Sequence, residues 1–81
     1  MTAANPKTLD DLSPGAEALV AGVEGEPAFR ARLADLGIVP GTQIAMIRKA
    51  PLGDPLQVAL RGYHLAIRRI DARKVLLDGL R

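Results

Sequence analysis

The chain has 81 residues, 48% of them hydrophobic, no cysteine, no tryptophan and a formal net charge of +2. That length allows one domain with a small core, and the hydrophobic content excludes an intrinsically disordered chain. With neither disulfides nor thiolate zinc sites available, packing alone or packing plus a partner must hold it. No apolar run approaches the ~20 residues of a membrane-spanning helix, and MTAANPKT lacks the apolar core of a signal peptide. The expectation is a soluble, cytoplasmic protein, consistent with the lack of cysteine. Charge is unevenly spread. Residues 1–26 hold one basic and five acidic side chains, net −4, and residues 27–81 hold ten basic and four acidic ones, net +6.

Taken in order, residues 1–7 read as a flexible tail and residues 8–81 as the domain. Leu9 and Leu12 flank Asp10-Asp11 in a short turn, and Ser13-Pro14-Gly15 signals another. Ala16 to Val23 reads as a first strand with Ala18 and Val20 inward and Gly22 allowing a bend. Glu24-Gly25 breaks it. A helix follows. Pro27 suits its first position, where a missing N–H has no intrahelical partner to lose. Glu26 puts negative charge at the positive end of the helix dipole. Phe29, Leu33 and Leu36 recur at helical spacing and share one face. Gly37 stands where helices commonly end in a left-handed residue, with Ile38 placed to pack back on Leu33. Pro40-Gly41 then predicts a tight turn.

The second half alternates. Gln43 to Lys49 reads as a strand with Ile44 and Met46 on one face, Arg48 ending that row, and Ala45 and Ile47 on the other. Lys49 to Pro55 is a loop longer than the tightest hairpins need. Leu56, Val58 and Leu60 share a face of the next strand, opposite Gln57 and Ala59. Arg61-Gly62 turns the chain. Tyr63 to Ile70 reads as a strand with Leu65 and Ile67 inward and Ala66 and Arg68 outward. Asp71-Ala72-Arg73 predicts a short turn, or one helical turn capped by Asp71. Val75 to Leu77 reads as a last strand that pairs with the first. The expected fold is mainly β: a small barrel of about five strands, with one short α-helix inserted after the first strand and closing an end.

An ordered set of segments resembles the FeoA family, small cytosolic partners of the ferrous-iron transporter FeoB. The set comprises Leu9-Asp10-Asp11-Leu12-Ser13-Pro14-Gly15, the helix end Arg32 to Ile38, the turn Pro40-Gly41-Thr42 and the loop Ala50 to Pro55. It continues through Leu60-Arg61-Gly62 and Leu65 to Arg69, leading to Ala72. The likeness covers residues 8 to about 78. It implies an SH3-like β-barrel, a link to ferrous iron and other transition metals at family level, and FeoB as partner. The same barrel forms the C-terminal domain of metal-dependent transcriptional repressors, which makes an accessory repressor domain the second reading.

Residue chemistry argues against catalysis. Ser13 precedes Pro14-Gly15 as a turn residue, His64 is the single histidine and reads as a solvent-facing strand residue, and no phosphate-cradling glycine loop occurs. Iron(II) sites usually combine histidines with carboxylates or several cysteines. One histidine, no cysteine and scattered carboxylates such as Asp10-Asp11 predict no metal site and no cofactor. Arg48-Lys49, Arg61, Arg68-Arg69 and Arg73-Lys74 suggest a small nucleic-acid-binding barrel as a third reading. Single-strand binders add aromatic stacking platforms, however, and only Tyr63 remains for that once Phe29 is used by the helix.

Protein binding suits the residues best. The expected surface is the proline-stiffened loop Ala50, Pro51, Leu52, Gly53, Asp54 and Pro55 with Arg48, Lys49 and Arg61, of which Arg61 lies at the far end of its strand. Phe29, Leu33, Leu36, Gly37, Ile38, Pro40 and Gly41 are expected to be structural. Expected partners are the cytoplasmic part of FeoB and, weakly, a second copy of the chain. Membrane contact is expected only through FeoB, which would recruit the protein to the inner face, and nucleic acid is not expected.

Overall fold

The computed structural model describes residues 8–80, so the tail expected over 1–7 lies outside the described residues. Five strands form one antiparallel sheet in the order β4-β3-β2-β1-β5. They are β1 (Glu17–Val23), β2 (Gln43–Lys49), β3 (Leu56–Leu60), β4 (Tyr63–Ile67) and β5 (Val75–Leu80). Helix α1 (Pro27–Asp35) connects β1 to β2, and the single turn α2 (Arg69–Ala72) connects β4 to β5. The sheet wraps one core without closing, leaving β4 and β5 as its edges.

The alternation expected from sequence sets the inner face. Ala18, Val20, Ile44, Met46, Leu56, Val58 and Leu60 are all buried, each 3% exposed or less. Leu9 and Leu12, at the ends of a 3-10 turn over Leu9–Asp11, cap this core from the N-terminal side. Leu33 is the one fully buried residue of α1, while Phe29 and Leu36 are half-buried against the core. The Phe29 ring also meets two cations, the Lys74 ammonium 4.7 Å from its centroid and the Arg32 guanidinium at 5.4 Å. Such stacking by cations adds modest electrostatic attraction to the packing.

The helix stop is a Schellman motif. Ile38 N–H donates to Leu33 C=O at 3.0 Å, Gly37 N–H donates to Ala34 C=O at 2.9 Å, and Gly37 has φ +95°. These bonds occupy carbonyls that the helix itself leaves unpaired. The buried Thr42 hydroxyl then donates to Gly37 C=O at 2.9 Å, tying the stop to the turn that follows.

Three local expectations need correction. First, β4 ends at Ile67, not Ile70, because Arg68 is the N-cap of α2 and Ala72 is drawn fully into the core. Asp71 therefore sits inside the helical turn rather than capping it. Second, β2 carries a bulge between Met46 and Arg48. Two residues there oppose one, so every later side chain changes face. Arg48 pairs with exposed Gln57 on the outside, and Lys49 pairs with buried Leu56. Third, β5 runs to Leu80 instead of Leu77, pairing with β1 from Val23↔Val75 to Ala18↔Leu80.

A candidate protein-binding end of the barrel

Strand register gathers the β2–β3 loop and the start of α2 at one end. Lys49 pairs with Leu56 and Leu56 with Ile67, a row across three strands with the loop at one side and Arg68-Arg69 just beyond. Ala50 N–H donates to Pro55 C=O at 3.0 Å, and Gly53 N–H to Ala50 C=O at 2.6 Å, which closes the loop on itself. Leu52 projects from it 92% exposed. A leucine so placed loses apolar solvation energy that burial against a partner would recover.

The loop is fastened to α2. Asp54 Oδ1 accepts the Arg69 backbone N–H at 3.0 Å, satisfying one donor at the start of that turn. Gly53 is close enough that a Cβ built on it would lie 3.3 Å from Arg69 Nη1, and its φ is +85°. Beneath this contact the Asp10 carboxylate, 11% exposed, accepts Arg69 Nε–H at 3.1 and 3.2 Å and Arg73 Nε–H at 3.3 Å. Lys49 Nζ donates to Asp10 C=O at 3.0 Å. One aspartate thus joins the N-terminal turn, the end of β2 and α2. Lys49 and Arg69 serve this joint, whereas Arg48 and Arg68 remain exposed. Arg48, Ala50, Pro55 and Gln57 line a shallow cleft of about 160 Å³ beside the loop.

Arg61 is not part of this end. It occupies the β3–β4 turn, where Leu60 pairs with Tyr63, at the opposite end of β3 from the loop. Its φ is +49° and that of Gly62 is +84°. Left-handed values at both central residues suit the twist of a two-residue hairpin. The Arg61 side chain runs over the end of α1, with Nη2 donating to Thr42 Oγ1 at 3.4 Å. Tyr63 O–H donates to Leu36 C=O in the same place. A depression of about 600 Å³ is there, lined by Ala34, Asp35, Leu36, Gly37, Val39, Arg61 and Tyr63.

Other candidate residues stay apart. His64 is exposed on β4 opposite Ala59, and Ser13 lies exposed before its turn. Among the described residues no three His, Asp or Glu side chains converge as a metal site, and no helix is long and apolar enough to cross a membrane. Sequence reasoning missed two groups at the loop end. Ile70, 60% exposed, was assigned to a strand, and Asp10 was placed only in a charged turn. The signal for Ile70 was available in Asp71-Ala72-Arg73, whose helical reading needed to begin two residues earlier. Nothing local announces that Asp10 meets arginines 59 and 63 residues away.

A five-stranded antiparallel sheet around one core, with a helix between its first two strands, defines a small SH3-like barrel domain. The chain belongs to the FeoA family, since the FeoA domain model matches residues 7–78. It is 37% identical over 67 residues to a fusion of Fe(2+) transport protein A with Fe(2+) transporter FeoB from Porphyromonas gingivalis, a match covering 83% of this chain. The chain spans only 8% of that relative's length. Its structure superposes on FeoA from Stenotrophomonas maltophilia, solved in complex with zinc, with TM-score 0.81 and 30% identity, covering 94% of this chain and 96% of that one. FeoA from Chlorobium tepidum gives TM-score 0.82 and 42% identity over 89% of this chain and 69% of that one. A manganese-dependent transcriptional repressor shares the fold alone, with 15% identity at TM-score 0.80 over 98% of this chain and 45% of that one. Family membership favours the FeoA reading over the repressor domain, with which the likeness is one of fold alone.

Proposed function

We propose that this chain is a non-enzymatic accessory protein of ferrous-iron transport. It binds the cytoplasmic part of a FeoB-type transporter through the Ala50–Pro55 loop, with Arg48 and Lys49 beside it, and so works at the inner face of the membrane. The observation that carries this reading is the Porphyromonas gingivalis relative, in which a matching domain and FeoB are one polypeptide. Covalent joining turns a weak contact into an intramolecular one at an effective concentration of about millimolar. In either arrangement the contact itself has to come from the domain's own surface.

The loop end has parts suited to that. Leu52 is an apolar anchor, the loop's closing hydrogen bonds and prolines limit the entropy lost on docking, and Arg48 adds an exposed charge. Exposed charge favours encounter rate and orientation more than affinity, so the complex should weaken with salt. A calorimetric titration against the transporter's cytoplasmic domain tests the proposal. Leu52→Asp and Arg48→Glu/Lys49→Glu, each with a cooperative unfolding transition, should both bind more weakly than wild type at low salt. Unchanged binding by both would contradict the proposed surface.

A further inference from the structure

We infer that the partner surface continues from the loop onto α2, with Ile70 and Arg68 as its second half, and that it accepts a protein segment presenting apolar side chains flanked by carboxylates. The inference rests on the partner-binding role proposed for the loop. It adds residues that no part of that role requires.

Four large hydrophobic side chains are exposed among the described residues, and the two most exposed are Leu52 at 92% and Ile70 at 60%. They flank one contact. Leu52 precedes Gly53-Asp54, and Ile70 follows Arg69, the residue that both of these meet. Ala72 is fully buried, and 200° of helical rotation separates it from Ile70, which therefore faces away from the core. The Asp10 joint fixes Arg69 and Arg73, so α2 and the loop hold their relation before any partner arrives. Preorganisation of two apolar projections reduces the entropy cost of engaging both.

Charge selects the occupant. Of the carboxylates at this end, Asp10 is paired with two guanidiniums and Asp71 is half-buried in α2, while Asp54 and Asp11, both exposed, accept hydrogen bonds from the Arg69 N–H and from the Thr8 N–H and hydroxyl. Arg48 and Arg68 are exposed and carry no ion pair to them. This end therefore carries a small basic excess, Arg48, Lys49, Arg68, Arg69 and Arg73 against four aspartates, with the exposed Arg48 and Arg68 beside the two apolar side chains. An acidic protein segment complements it, with apolar residues meeting Leu52 and Ile70 at the centre and carboxylates meeting the arginines at the rim. With so few uncommitted basic groups, a protein segment fits better than an anionic bilayer, whose attraction for peripheral proteins grows with larger basic clusters.

The test is a calorimetric titration of the transporter's cytoplasmic domain with the full chain and with Ile70→Asp, Arg68→Glu, Leu52→Asp and Arg30→Glu. Each variant is first shown to unfold cooperatively with a midpoint near that of wild type. Ile70→Asp, at the centre of the contact, should weaken binding by about tenfold or more, and Arg68→Glu, at its rim, by about fivefold at low salt, a loss that shrinks as salt is added. Arg30→Glu makes the same charge change on α1 and should leave binding within about twofold. If Leu52→Asp binds poorly while Ile70→Asp and Arg68→Glu bind like wild type, the extension onto α2 is wrong and the loop reading stands. If all three bind like wild type, both are wrong. Equal losses for Arg68→Glu and Arg30→Glu would reduce the effect to net charge and overturn the inference. So would binding confined to vesicles of phosphatidylglycerol with none to the protein domain.

Discussion

Gly37 and Arg61 lie against each other at the end of α1, so closely that a Cβ built on Gly37 would stand 2.9 Å from Arg61 Cδ. Both residues have left-handed backbones, with φ +95° at Gly37 and +49° at Arg61. Helix stop and β3–β4 turn therefore constrain the same few cubic ångströms. The arginine places positive charge near the negative end of the helix dipole, where it is favourable. A residue suggested by sequence as a partner contact thus has a structural explanation.

This pairing makes Gly37 doubly restricted. Gly37→Val should destabilise by about 1–2 kcal/mol more than Gly37→Asn, because asparagine tolerates the left-handed region and a β-branched residue does not. Adding Arg61→Gly should lessen the cost of Gly37→Asn by removing the atom that its Cβ would strike. Urea denaturation of Gly37→Val beside the four-member cycle of Gly37→Asn and Arg61→Gly measures both effects, and strict additivity in the cycle would contradict the contact.

Leu33 is the main anchor of α1. Leu33→Ala removes buried methyl groups beside Ile38 and should cost about 2–4 kcal/mol. In a domain of this size that is a large share of the stability. A change under about 0.5 kcal/mol, the value of an ordinary surface site, would mean that α1 is not held through this residue.

Asp10→Asn should cost about 1–2 kcal/mol, since the carboxylate is nearly buried while its arginine partners are 47% and 58% exposed and therefore partly screened. The loss should shrink at high salt. Hydrogen exchange should show faster opening of the α2 amides, whereas protection unchanged in α2 would argue against the joint.

Fe(II) added anaerobically to the purified chain should show no stoichiometric binding tighter than about micromolar. The described residues offer no group of three converging ligands of the kind such sites use. A one-to-one complex lost in His64→Ala would refute this.

Much of the fold could be read from local pattern because the deciding interactions are local. Period-two alternation identified the inward rows of β2 and β3, and Leu33, Gly37 and Ile38 together announced the helix stop. The bulge at Ile47 was invisible because one extra residue leaves composition and spacing unaltered while exchanging the faces of Arg48 and Lys49. The end of β4 was missed for a different reason. Continued past Ile67, the alternation would put Arg69 inward and Ile70 outward, a break that argued for ending the strand there, while the distant Asp54 carboxylate and the burial of Ala72 favour the helical turn. The candidate surface was legible at the loop through Leu52. Its extension to Ile70 depends on tertiary contact between loop and α2.

The central claim is that the chain meets a FeoB-type partner with its loop end. The most direct measurement is an amide chemical-shift titration of the isotope-labelled chain with the transporter's cytoplasmic domain. The account predicts saturable shifts concentrated at residues 48–54 and 68–71, reduced at high salt and suppressed by Leu52→Asp. Shifts centred instead on Arg30 and Ala34 of α1, or no saturable shifts at any accessible concentration, would contradict it.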